Sequence, residues 1–184
     1  MFVANEIHSL NGTRPPSGLT RLVRELKYRG WVEVVHRGQV AVVKTANHSS
    51  LLVFIAGEHP DSVYWYLLTV TPTYRHDGIT LRHAIDSVKD AADREYVHLT
   101  LQAQPNGLAE DEQSEWFTAK HWLDSDVKAE ENGASALQND ADYQKRALRW
   151  RAYLIRQGFF PVHPHTRPDD DKHFILGYSK TKRP

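Results

Sequence analysis

The sequence predicts a single domain of α/β (α+β) class, with a mixed, mostly antiparallel sheet flanked by helices on both faces. Three observations lead there. Residues 31 to 70 hold four short runs rich in β-branched and aromatic residues, separated by turn formers, the pattern of an antiparallel meander. From residue 79 the apolar period lengthens to that of a helix and another strand-like run follows, so strand, helix and strand form a βαβ unit whose two strands can lie parallel. A chain of 184 residues with 40% hydrophobic content suffices for one core and is too short for two full domains.

Each element has its own signal. Residues 1–18 end in Pro-Pro-Ser-Gly and read as an N-terminal arm before a single domain over 19–184. Leu19, Leu22, Val23 and Leu26 share one helical face, with Arg21, Arg24, Lys27 and Arg29 mostly elsewhere and Gly30 at the stop, so 19–29 is a basic amphipathic helix. "WVEVVHRGQVAVVKT" predicts two strands about a turn at Arg37-Gly38. "SLLVFIAG" (50–57) is a third strand, and "VYWYLLTV" (63–70) a fourth beyond the turn-forming "EHPDS". Leu81, Ala84, Ile85, Val88 and Ala92 define a helix over 79–93, and "YVHLTLQA" (96–103) is the strand after it. Residues 107–140 read as an acidic insertion: Glu110, Asp111, Glu112, Glu115, Asp124, Asp126, Glu130 and Glu131 stand against Lys120 and Lys128. It is partly helical around "SEWFTAKHWL", where Trp116, Phe117 and Trp122 provide something to bury. A last helix runs from about Ala141 to Gln157 and closes at Gly158. The tail "FFPVHPHTRPDDDKHFILGYSK" predicts two strands joined by a polar loop at "RPDDD".

Composition removes some functions. Lys+Arg and Asp+Glu both total 23, so the net field does not favour nucleic acid or an anionic membrane as the main partner, although it does not exclude nucleic acid. The absence of cysteine excludes disulfides, thiolate zinc sites and cysteine nucleophiles, and fits a reducing compartment. The most apolar run is far shorter than a membrane span, and the start does not resemble a signal peptide. A cytoplasmic protein without a membrane partner is the expectation.

The most informative stretch is "TVTPTYRHDGIT" (69–80), a charged, glycine-containing turn between a strand and a helix. Amides at a helix start lack intrahelical partners and carry partial positive charge. Gly78 would let a phosphate approach the main chain, and Arg75 would add a charge-assisted contact. The alternative is a structural turn, with Pro72 ending the strand and Gly78 tolerating an unusual backbone angle.

"LTVTPTYRHDGITLRHAI" (68–85) resembles the acetyl-CoA motif of the GNAT acetyltransferase superfamily, with Val70, Pro72, Tyr74, Arg75 and Gly78 in register and Thr80 where the family prefers Gly or Ala. Further on, Asn106 and Ala109 match the family's Asn-x-x-Ala element, and "YLIRQGFFPV" (153–162) is similar to its tyrosine, Gly-Phe and terminal strand. Tyr153 lies five residues before Gly158, where the usual spacing is four. The resemblance implies a GNAT-type fold and acyl transfer from acetyl-CoA to an amine by direct attack, without a metal. It implies that Val70, Arg75, His76, Asp77, Gly78, Ile79, Thr80 and Asn106 hold the cofactor, with the carbonyl contact at the splayed end of the fourth strand near Val70. Tyr153 is then the acid. Glu58, with His59 and Asp61, supplies base candidates just before that strand. The acceptor amine is open in class; the acidic insertion fits a cationic acceptor or partner, but a simple solvated excursion explains it better. Whether two chains pair as a homodimer also stays open.

Two other readings compete. A catalytically inactive binding or scaffold protein of the same fold would suit Thr80 and the shifted Tyr153. His48-x-Ser50 and His98-x-Thr100 look like the paired signature of a two-histidine phosphoesterase, which requires both histidines across one cleft. His163, His165, Asp169, Asp170, Asp171 and His173 are metal ligands by type, but a polar hairpin loop explains them better.

Overall fold

The computed structural model describes residues 15–74, 77–103 and 141–182. Helix α1 (Gly18–Tyr28) precedes the meander β1 (Trp31–Arg37), β2 (Val40–Thr45), β3 (Ser50–Ala56) and β4 (Ser62–Val70). Helix α2 (Ile79–Glu95), β5 (His98–Gln102), α3 (Ala141–Arg156), β6 (Phe160–Pro161) and β7 (Ile175–Tyr178) follow. Residues 1–14 of the arm expected over 1–18 and the insertion at 107–140, including its helix around Trp116, lie outside the described residues, as do Arg75, His76, Asn106 and Ala109.

The seven strands form one sheet in the order β1-β2-β3-β4-β5-β7-β6. Neighbours run antiparallel except β4 and β5, which are parallel because α2 carries the chain back across the sheet between them. The mixed, mostly antiparallel sheet is therefore present.

Helix α1 forms because Ser17 caps it, accepting from Thr20 N–H at 3.3 Å, and because its apolar stripe finds a partner. Leu19, Leu22, Val23 and Leu26 are buried, each contributing about 2 kcal/mol of transfer free energy. Gly18 belongs to the helix rather than to the arm. Its N–H donates to Pro60 O at 2.6 Å, and a Cβ there would stand 2.9 Å from that oxygen, so only glycine fits. At the other end of the chain, Gly158 closes α3 with φ at +96°.

The sheet has two buried faces. The larger cluster joins the buried stripes of α1 and α2 with Ala41, Val43, Leu52, Phe54, Val63, Trp65, Leu99, Leu101 and Leu176, and takes Ala147 and Leu154 from α3. The smaller cluster holds Val42, Leu51, Val53 and Leu67, with Tyr66, Val34, Val35 and Val40 against it. Among the described residues all three helices contribute buried side chains to the larger cluster.

Candidate functional site

The chemistry-bearing stretch 69–80 begins at the end of β4, and that strand is irregular. Its pairing with β3 slips between Phe54–Trp65 and Val53–Leu67, which leaves Tyr66 as an extra residue in a β-bulge. The bulge changes which face each side chain meets. Val63 and Trp65 point into the larger cluster, whereas Leu67 lies in the smaller one and Leu68 packs against the larger. Burial alternates along the whole strand, so its pattern conceals the change of face.

Among the described residues the parallel ladder with β5 stops at the same point. It pairs Ser62 with His98 through Trp65 with Leu101, and no described β5 residue pairs with Tyr66–Val70. Two aromatic residues of β4 flank the last ladder pairs, one on each face. The buried Trp65 Nε1–H donates to Leu67 O at 3.0 Å, taking a carbonyl just past the ladder. On the other face, Tyr64 lies near Tyr66, ring centroids 6.4 Å apart. Burial raises the Tyr64 phenol above its ordinary pKa, with Tyr66 adding to the effect and the Gln102 main-chain N–H working against it. Tyr64 thus reaches from β4 towards the last residue of β5.

At the end of β4, Val70 pairs with Ser50, and Thr71 N–H donates to Ser49 O at 3.0 Å. Ser50 is buried, and its hydroxyl has no hydrogen-bond partner among the described residues. A single 3-10 turn, Pro72–Tyr74, leads on towards α2. Gly78 has φ −29°, and a Cβ placed on it would meet no atom of the described residues within 4 Å. Neither its backbone angle nor crowding by the described residues requires glycine there. Beside it, Ile79 is 80% exposed, uncommon for so large an apolar side chain.

The amides at the start of α2 are partly occupied by the chain itself. Asp77 accepts from Thr80 N–H at 2.5 Å and from Thr80 Oγ1–H at 2.6 Å. These two bonds, the side-chain one foremost, hold the Asp77 carboxyl below its ordinary pKa. The carboxylate therefore caps the helix where a phosphate was expected, and the Thr80 hydroxyl is engaged with it.

The other expected residues sit elsewhere. Glu58 is exposed in the turn that enters β4, whereas Val70 and Gly78 follow its exit. Eight steps of about 3.3 Å separate the strand's ends by roughly 26 Å. Glu58 is therefore not brought to the candidate site, a correction that follows from the direction of the strand. His59 and Asp61 are built into the same distant turn: Asp61 N–H donates to His59 Nδ1, and Arg21 bonds the Asp61 carboxylate at 2.7 Å. That bond is the main reason the Asp61 pKa is lowered.

Tyr153 is half-buried on α3, stacked on Trp150 at 5.5 Å and 11°, with the Arg156 guanidinium 6.0 Å from its ring centroid. Leu154, at the spacing where the family's tyrosine would stand, is 1% exposed and part of the core. His48 occupies the turn entering β3, beside the exit of β4, while His98 pairs with Ser62 at its entrance. The two histidines lie at opposite ends of β4, and the single cleft a two-histidine phosphoesterase needs is not formed between them.

Among the described residues no three His, Asp or Glu side chains come together to hold a metal ion, and no helix is long and apolar enough to cross a membrane. No protein-family model matches the sequence, and no curated protein does.

Proposed function

We propose that the chain is an acetyl-CoA-dependent N-acetyltransferase of GNAT type, binding its acyl donor where β4 parts from β5 and at the start of α2. The observation that carries this reading is that, among the described residues, Tyr66–Val70 has no partner on its β5 side and begins at a bulge where the Trp65 indole takes the Leu67 carbonyl. Such an opening leaves strand edge for an extended, amide-bearing donor and directs its thioester towards the gap. The open space over Gly78 and the exposed Ile79 support a ligand at the adjoining turn.

In the reaction an unprotonated amine nitrogen attacks the thioester carbon. The new C–N bond forms, the C–S bond breaks with its electron pair going to sulfur, and the sulfur takes up a proton as the nitrogen loses one. Main-chain N–H groups along the outer part of β4 would polarise the thioester oxygen. Tyr64 and Tyr66, rather than Glu58, are the titratable side chains at the parting. The amine acceptor remains open in class.

A second reading is favoured by one observation. Asp77 already holds the Thr80 amide, so a phosphate must displace a carboxylate, which suits a binding or scaffold protein of this fold that takes no acetyl-CoA. Calorimetric titration with acetyl-CoA separates the two. Micromolar binding by the wild type, lost in Gly78→Glu, is the expected result; a folded wild type that shows none sinks the transferase reading. The described residues leave room for a side chain at 78, and a circular dichroism check on the variant separates loss of ligand from loss of fold.

A further inference from the structure

The basic helix α1 takes no part in the proposed transfer, yet it borders a groove of about 700 Å³ along α2, lined by Arg24, Glu25, Tyr28, Arg29, Arg94 and Glu95. That volume is in the range of small-molecule sites. The groove is separate from the acyl-donor site: Arg94 is fifteen residues along α2 from Ile79, roughly 22 Å at ~1.5 Å per residue.

Its arginines are oriented from below. Glu25, with a side chain 8% exposed, holds Arg29 Nε at 3.3 Å and Arg94 Nε at 3.6 Å. Arg24 reaches Glu95 through one terminal nitrogen at 3.3 Å. Held through Nε, Arg94 has no ion-pair partner for its two terminal nitrogens among the described residues, and its side chain is 70% exposed. A guanidinium presented this way suits two oxygens of one phosphate. At the rim, the Tyr28 ring is 81% exposed.

An ion-pair lattice that only joined α1 to α2 would require neither an open groove nor an exposed ring. A bare phosphate would meet the arginines but also two carboxylates. We propose that the groove binds a ribonucleotide: its phosphate on Arg24 and Arg94, its base stacked on Tyr28, and its ribose hydroxyls donating to Glu95. Phosphate, base and ribose then each meet a complementary group, and Glu95 becomes an acceptor instead of an obstacle while Glu25 stays beneath the arginines.

The test is calorimetry of the full chain with AMP, using wild type, Arg24→Ser with Arg94→Ser, Tyr28→Ser and Gly78→Glu, each checked for folding by circular dichroism. Saturable wild-type binding, weakened about tenfold or more by the arginine pair and by Tyr28→Ser, is expected. Gly78→Glu should leave it unchanged, and adenosine and inorganic phosphate should each bind more weakly than AMP. Absence of saturation by the wild type overturns the proposal, as does affinity unchanged in the folded Tyr28→Ser variant. Loss of binding in Gly78→Glu alone assigns AMP to the β4–α2 turn and overturns it as well. The result does not depend on whether acetyl-CoA binds.

Discussion

Asp77 is the residue on which the two functional readings divide. Its carboxylate stabilises the first turn of α2 and at the same time places negative charge where a pyrophosphate would go. Replacing it by Asn keeps an acceptor for the Thr80 amide and removes the charge. Asp77→Asn should therefore tighten acetyl-CoA binding several-fold; unchanged or weaker affinity in the calorimeter would mean the phosphates lie elsewhere. The pH dependence has a definite sign. The folded pKa of Asp77 is depressed, so its capping contribution is present above the unfolded carboxylate pKa and is lost as pH falls through the lower folded one. The aspartate was visible in the sequence as part of the motif, but its role was not. Asp-Gly-Ile-Thr reads equally as a turn before a phosphate or as a capping pair, and only the side-chain rotamers distinguish them.

At the scale of elements, β4 determines the site. Trp65 fills the core between Phe54 and Phe159, at ring separations of 6.0 and 6.3 Å, and its indole N–H serves Leu67 O. Trp65→Phe should keep much of the ring contact but leave a buried carbonyl without its donor and a small void. The expected loss is about 2–3 kcal/mol in chemical denaturation, and a loss below about 0.5 would show that the bond does not hold the parting. The strand itself was legible from its β-branched and aromatic residues. The bulge was not, because Val63, Trp65, Leu67 and Thr69 keep strict alternation in sequence and in burial while the face they meet changes at Tyr66. The wrong end for Glu58 was avoidable: a residue that enters a strand is by geometry remote from one that leaves it.

For the whole molecule, the sequence carried the element order, the meander and the parallel step, since each rests on local periodicity or on the rule that a strand-helix-strand unit returns parallel. Helix limits fell within a few residues because Ser17 and Gly158 mark them in the sequence as well as in space. Long-range placement was out of reach. Nothing in the spacing of Glu25 and Arg94, or of Tyr28 and Glu95, announces that α1 and α2 form one groove. The same holds for Tyr64 and Gln102, which meet only because β5 lies beside β4.

The single parallel pairing also divides the sheet by how its neighbours are reached. β1 to β4 are joined by short turns, whereas β5 is reached only across α2 and β7 lies more than seventy residues further on. Local pairings close small loops and form quickly, while distant ones wait for larger loops to close. Amide hydrogen exchange under native conditions should therefore place a seam between β4 and β5, with the slowest-exchanging amides in β2, β3 and β4, and β5 and β7 opening together at lower free energy. Uniform protection across all the strands would mean that the two halves of the sheet open as one cooperative unit.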